Sequence, residues 1–342
     1  MIFMRQLSER QQKIVTDIAI LGHVNPKNFE ELGVSRSTFA RDVEDLLNLG
    51  FVSRFGKGPS TTYTYGGNFP LAPIDVKNYF EKDQDSRHLN QKKIDFSAIS
   101  HIFSTDELQE LESLGHDWYS RYQHASEGVK RKEFEKLTIE LAWKSSQIEG
   151  NTYTLLDTER LIKERQEATG HPHEEAVMIL NHKQALEYIS EYKNLFLYPT
   201  KKEIENVHSI LVEKLHISKG LRSGAVGIVG TNYKPFDNIF QIGEQLESFL
   251  NALLSLRNGL TVAFFTLVGI SYIQPFEDGN KRTSRMVSNA ILLAYNLPPF
   301  SYRSIDEVEY KKAVILLYET GSVYYLKKLF IEQFKQACTS FS

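Results

Sequence analysis

At 342 residues the chain is long enough for two or three domains, and its 41% hydrophobic and 24% charged content is that of a soluble globular protein. A formal net charge of -3 excludes a polybasic coat, so any contact with nucleic acid must be a local patch. The single cysteine, Cys338, excludes an internal disulfide and requires no oxidising compartment.

The opening stretch, MIFMRQLSERQQ, lacks the apolar core and cleavage site of a signal peptide. The most apolar run, Leu260 to Ile273, is too short to span a bilayer and suits a buried helix. A cytoplasmic protein with no membrane contact is expected. Ser8 is a candidate N-cap, followed by Ile14, Ile18 and Leu21 at helical spacing. A short segment over Asn28 to Leu32 ends at Gly33. Ser35-Arg36-Ser37-Thr38 then opens a longer amphipathic helix with Phe39, Val43, Leu46, Leu47 and Leu49 inside, and Gly50 stops it. Phe51 to Phe55 and Thr61 to Tyr65 read as strands around the turn Gly56-Lys57-Gly58-Pro59. Helix, short helix, long helix and hairpin in that order resemble a winged helix-turn-helix, here assigned to residues 1–66. Such a fold implies DNA contacts from Arg36, Ser37, Thr38 and Arg41, with Arg54 and Lys57 on the wing. Residues 1–65 carry eight Lys/Arg and seven Asp/Glu, however, so a role in protein contact or dimerisation stands beside DNA binding.

Residues 67–104 read as a polar linker containing Pro70, Pro73 and the charged stretch Glu81 to Arg87. From 105 to 338 the pattern is helical, broken by Gly220 to Phe236, where glycines alternate with Val226, Ile228 and Val229 as in a β-hairpin or flap. His171-Pro-His173 lacks the i, i+4 pair of a helical zinc site and reads as a loop and helix start. The aromatic cluster from Tyr318 to Phe334 has helical core spacing.

The densest signal is Tyr272-Ile-Gln-Pro-Phe-Glu-Asp-Gly-Asn-Lys-Arg-Thr-Ser-Arg285. A hydrophobic helix runs into Gln274, and Pro275 turns the chain there. Gly279 lets the backbone bend or approach a ligand. A second helix, Asn280 to Tyr295, presents free N–H groups and its positive dipole end at the loop. Arg282 and Arg285 are spaced to share a helix face, with guanidinium forks suited to phosphate. Glu277 and Asp278 add hard oxygens of the kind that recruit Mg²⁺. Taken alone, such a turn equally fits a solvated helix end.

The string resembles the Fic (Fido) family signature HxFx(D/E)GN(G/K)RxxR, with Phe276, Asp278, Gly279, Asn280, Arg282 and Arg285 in register. Upstream, Lys144-Ser-Ser-Gln-Ile-Glu-Gly-Asn151 is similar to the family's inhibitory motif (S/T)xxxE(G/N), with Ser145, Glu149 and Gly150 at its fixed positions. The resemblance covers roughly residues 105–335. It implies a mostly α protein: an all-helical Fic core with a small hairpin flap, an inhibitory helix at about 138–151, and the α+β winged-helix domain in front. It implies ATP with Mg²⁺, bound through Gly279, Asn280, Lys281, Arg282 and Arg285, with Asp278 (and Glu277) toward the metal. The implied activity is transfer of AMP to a hydroxyl of a target protein. The implied brake is Glu149, which holds Arg285 away from the γ-phosphate. The flap implies docking of a target segment by strand addition.

Two positions depart from the pattern. Gln274 stands where the motif histidine acts as general base, and an amide cannot accept a proton at neutral pH. Lys281 stands where adenylylating members most often have glycine, as in the Doc-like branch, which implies phosphate transfer. Three readings therefore remain: an autoinhibited adenylyltransferase slowed at Gln274, a catalytically inactive nucleotide-sensing regulator acting through residues 1–66, and a Doc-like phosphotransferase. The candidate partners are ATP, a target protein, DNA and a second copy of the chain.

Overall fold

The computed structural model describes residues 7–29, 35–90 and 101–339, together with 33, 94 and 96. The described residues are mostly helical, with one small sheet. The chain divides into two compact units, the first Met1–Ser104, Gly227–Lys234 and Lys312–Lys328, the second Thr105–Val226, Pro235–Lys311 and Leu329–Ser342.

In the first unit, α1 (Glu9–Leu21) starts at Ser8, whose hydroxyl accepts from the Gln11 amide while the Gln11 side chain accepts from the Ser8 amide. A 3₁₀ turn, Pro26–Phe29, occupies the start of the short segment expected over 28–32, and residues 30–32 lie outside the described residues. Helix α2 (Arg36–Asn48) is capped by Ser35. Strands β2 (Val52–Phe55) and β3 (Thr62–Tyr65) form the expected hairpin, in register Val52↔Tyr65 to Phe55↔Thr62. A third strand, β1 (His23–Val24), adds to β3 and gives the order β1-β3-β2. Its two residues are too few for any alternation to reveal it. Ile14, Ile18, Phe39, Val43 and Leu46 interlock beneath the sheet with Val52 and Tyr65.

The stretch read as a linker is locally ordered, with 3₁₀ turns and α3 (Val76–Phe80). It ends in a buried ion pair. Arg87 Nη2 donates to Glu319 Oε1 at 3.1 Å and to the Gly230 carbonyl at 2.9 Å, and the Tyr79 hydroxyl donates to Glu319 Oε2 at 2.7 Å. Every strong acceptor position on Glu319 thereby meets a donor, the condition under which a carboxylate tolerates burial.

The second unit holds α4 (Thr105–His124), α5 (Glu127–Ile148), α6 (Leu155–Glu164), α7 (His173–Glu191), α8 (Lys201–Leu211), α9 (Ile239–Ser255), α10 (Gly259–Ile273) and α11 (Asn280–Ala294). Helix α10 is buried along its whole length, as its unbroken apolar run requires. Its serine is satisfied by Ser271 Oγ–Ser284 Oγ at 2.9 Å, which ties it to α11. Helix α11 packs against α5, α7, α8 and α10, so even its arginines are buried. The segment 220–236 forms no paired strand. It holds bends and a turn, with positive φ at Gly220 and Gly230, where the alternating glycines suggested a hairpin. Helix α12 (Glu307–Thr320) and α13 (Tyr324–Thr339) close the chain, with Tyr318, Phe330 and Phe334 buried as the aromatic spacing predicts. Cys338 is buried too, and burial raises its thiol to about 12, far from reactivity. No helix of the described residues is long and apolar enough to cross a membrane.

Candidate functional site

The site grows from the junction of α10 and α11. Helix α10 ends where Gln274 takes a left-handed conformation, φ 51° and ψ 59°. Pro275 bars the residue before it from continuing the helix, and the left-handed turn costs Gln274 about 1–2 kcal/mol. The position is held from two sides. Gln274 Nε2 donates to the Ser271 carbonyl at 2.6 Å, and Arg222 donates from Nε to the Gln274 carbonyl (2.7 Å) and from its amide to the Pro275 carbonyl (3.0 Å).

The loop is closed from within. Asn280 accepts from the Phe276 amide and donates to the Phe276 carbonyl, both at 2.8 Å. Phe276 is fully buried and stacks on His208 at 3.8 Å between centroids, while His208 Nε2 donates to the Asp278 carbonyl at 3.0 Å. Burial draws His208 down to about 4, so it is a neutral prop for the loop at physiological pH. Gly279, at φ 77°, is the N-cap of α11 and provides no side-chain cap. A Cβ there would lie 3.2 Å from Val212 Cγ1 and 3.3 Å from Arg282 Nη2. The first amides of α11 thus keep their capacity for an external anion.

Arg282 donates to Asp278 Oδ2 at 3.2 Å, and the Asp278 side chain is otherwise largely exposed. Asp278 therefore fits a metal-facing carboxylate beside phosphate. Glu277 lies beside it: its Oε2 accepts from the Ser218 amide at 3.1 Å, and the Ser218 side chain and then this amide lower its pKa.

Arg285 is fully buried and lies against α5. Its Nε donates to Ser145 Oγ (3.0 Å) and its Nη2 to the Ser145 carbonyl (2.9 Å), with Glu149 Oε1 2.9 Å from Nη2. Lys281 Nζ sits 3.0 Å from the other oxygen, Oε2. Helix α5 starts earlier than the 138–151 expected for the inhibitory element, because Ser126 caps it. It ends at Ile148 in a left-handed turn. Gly150, at φ 99°, allows Asn151 N to bond the Ser146 carbonyl and Gly150 N the Gln147 carbonyl. That turn is the physical content of the Glu-Gly pair: it places Glu149 at the helix end, facing α11. A carboxylate at a helix C-terminus is unfavourable by itself. Burial also pushes its pKa up, but Arg285 and Lys281 overcome both effects and hold it at about 2.

Ser145, Glu149, Lys281 and Arg285 therefore converge, and Gly279, Asn280, Arg282 and Asp278 line the adjoining loop. Residues Arg36, Ser37 and Arg41 are exposed on α2 in the first unit, and Thr38 is half-buried against Ser35. Among the described residues no three His, Cys, Asp or Glu side chains converge as metal ligands, and His171 and His173 instead meet Glu175 and Glu167. Sequence reading missed His182 beside Ser145, His208, the hold of Arg222 on Gln274, and Tyr310, whose ring lies 5.5 Å from the Arg285 guanidinium. Each meets a site residue far away in the chain, and none carries a local signal. It also read Lys281 as a phosphate contact and missed its pairing with Glu149.

The Fic/DOC family model matches residues 198–292, so that stretch is a Fic/DOC domain containing the whole Gln274–Arg285 loop. Among curated proteins, the chain is similar to the protein adenylyltransferase Fic of Drosophila melanogaster (28% identity over 182 residues, 52% of this chain and 36% of that protein). It is also similar to those of Nematostella vectensis (29% over 174 residues, 48% and 40%) and Culex quinquefasciatus (30% over 178 residues, 50% and 35%). The chain thus spans less than half the length of these relatives. Its fold matches a Fic-domain-containing signaling protein from Bacteroides thetaiotaomicron VPI-5482, with a TM-score of 0.57 at 19% identity over 69% of this chain and 95% of that one. A Fic family protein from Desulfovibrio desulfuricans G20 gives a TM-score of 0.58 at 19% identity, covering 70% and 74%.

Proposed function

We propose that the Gln274–Arg285 loop binds ATP with Mg²⁺ in a Fic-type site held shut by Glu149, and that its chemistry is slow transfer of AMP to a protein hydroxyl. The observation that carries this is the Arg285–Glu149 pair, a buried cation whose Nη2 meets a carboxylate where a phosphate oxygen would fit. The α11 amides, Arg282 and, after Glu149 departs, Arg285 would hold the phosphates, and Asp278 would take the Mg²⁺, which neutralises phosphate charge. In the transfer, the hydroxyl oxygen bonds to the α-phosphorus, pyrophosphate leaves, and the hydroxyl proton must go to a base. Gln274 can orient the hydroxyl but cannot take that proton, which costs about 10²–10⁴ in rate. The segment 220–236, which contributes no strand to the sheet of the described residues, supports docking of the target. Lys281 is committed to Glu149, which accounts for a lysine at that position without a Doc-like phosphate transfer.

The test is labelled ATP with the Glu149→Gly chain, with and without Gln274→His, in cell extract. Labelling that rises with Gln274→His supports the reading. Calorimetry showing no ATP binding by Glu149→Gly would sink it.

A second reading, a regulator in which residues 1–66 act as a winged helix on DNA, draws on one observation. Two of the acids on α2 are turned inward: Asp42 pairs with Arg10 at 2.8 Å, and Asp45 accepts from Gln11 at 3.1 Å. The exposed side of α2 and the wing then carries Arg36, Arg41, Arg54 and Lys57 against Glu44. Duplex binding whose salt slope falls by about one when Arg36→Ala removes a phosphate contact would support it. A shift insensitive to salt would count against it.

A further inference from the structure

Arg285 meets two side chains at different nitrogens: Glu149 engages Nη2, which also donates to the Ser145 carbonyl, whereas the Ser145 hydroxyl engages Nε. Behind Ser145 stands His182, with Nε2 2.9 Å from Ser145 Oγ and Nδ1 2.8 Å from the Met178 carbonyl. Arg285, Ser145 and His182 are each at most 1% exposed.

The chemistry of these partners orders the protons. The Met178 carbonyl can only accept, so Nδ1 carries the imidazole proton and Nε2 is an acceptor. Nε2 therefore takes the Ser145 hydroxyl proton. That turns the Ser145 lone pair toward Arg285 Nε–H. The chain runs in one direction, from guanidinium to hydroxyl to imidazole to backbone. Burial, with Arg282 and Arg285 nearby, draws His182 down to about 3, so it stays neutral and the order is kept across physiological pH.

We propose that His182 and Ser145 are positioning residues that aim Arg285 at the nucleotide phosphates, so Ser145 works for binding although it lies in the inhibitory motif. The contact at Nε survives when Glu149 leaves Nη2, and it fixes the plane of the guanidinium whose outer edge then meets phosphate. A fork held in place loses less rotamer freedom on binding than one that must be ordered. The proposal rests on the reading that Arg285 is a phosphate ligand.

The experiment measures Mg·ATP affinity by calorimetry in the full chain carrying Glu149→Gly. Adding Ser145→Ala or His182→Leu weakens binding about tenfold, the loss expected for one buried hydrogen bond to a charged group. Combining the two weakens it no further, because both break one relay. His182→Gln, which restores an acceptor, recovers affinity to within about threefold. Affinity equal to or tighter than that of Glu149→Gly alone would make Ser145 purely inhibitory and overturn the proposal. If Glu149→Gly itself fails to bind, the phosphate role of Arg285 falls instead. In that event the relay is still read directly by ¹⁵N NMR of the unmodified chain. The Nδ1–H tautomer at His182 is expected, and an Nε2–H tautomer overturns the relay.

Discussion

Glu149 faces two cations, and the second is accessible to a clean test. Its Oε1 lies 2.9 Å from Arg285 and its Oε2 3.0 Å from Lys281. Together they hold the carboxyl at about 2 against an ordinary 4.5, despite burial that works in the other direction. That shift corresponds to about 3 kcal/mol of stabilisation of the charged form. Arg285 is fully buried, whereas the Lys281 side chain is 31% exposed and is screened by water and salt. Lys281 therefore supplies the smaller share, about 1 kcal/mol. Replacing Lys281 by methionine loosens the brake by that amount and tightens Mg·ATP binding about fivefold, measured by calorimetry at fixed salt. In the Glu149→Gly background there is no brake to loosen, so the same substitution leaves affinity unchanged or weakens it. The gain in the first background also shrinks as salt is raised. Equal weakening in both backgrounds would show that Lys281 serves the phosphates alone, and the two-cation account of Glu149 would be wrong.

Other perturbations follow from the same contacts. Gly279→Ala places a Cβ at φ 77°, 3.2 Å from Val212, and is expected to cost about 1–2 kcal/mol in urea unfolding and to weaken ATP binding. Unchanged stability would show that the loop does not need its left-handed residue. Glu319→Ala leaves Arg87 buried beside an empty position and is expected to lower stability by about 3–5 kcal/mol, whereas a loss below about 1 kcal/mol would mean that water or relaxation rescues the arginine. Acid lability should begin early. His182 and His208 are drawn by burial to about 3 and about 4 in the folded chain, below their ordinary 6.5. The unfolded chain therefore takes up protons first as pH falls below about 6.5. Stability is full above that pH and falls by up to about 1.4 kcal/mol per pH unit for each histidine, until each folded pKa is reached. A urea midpoint that stays level between pH 7 and 5 would contradict this.

Spacing and residue type alone located the helix over Leu260 to Ile273, the turn at Pro275, the arginine pair of α11 and the hairpin around Gly56–Pro59, because each is a local pattern. The residue before a proline is biased away from helix, a long apolar run is buried, and glycines clustered with proline between two β-type runs mark a tight turn. The Glu149–Gly150 pair was legible as a motif, and its cause is local as well: a glycine-terminated helix end. Tertiary structure alone decided which cation meets which carboxylate. Lys281 and Glu149 are far apart in the chain, and so are Ser145 and His182, and only the packing of α11 against α5 and α7 brings them within hydrogen-bond reach. Within the first unit, the packing of α1 against α2 decided that Asp42 and Asp45 meet Arg10 and Gln11, which no count of charges along residues 1–65 could reveal. At the loop itself, the sequence alone determined that Gln274 cannot be a base, since that is a property of an amide. Only the fold determined that this glutamine is held in a left-handed turn by Arg222, a residue from a segment that no local rule links to it.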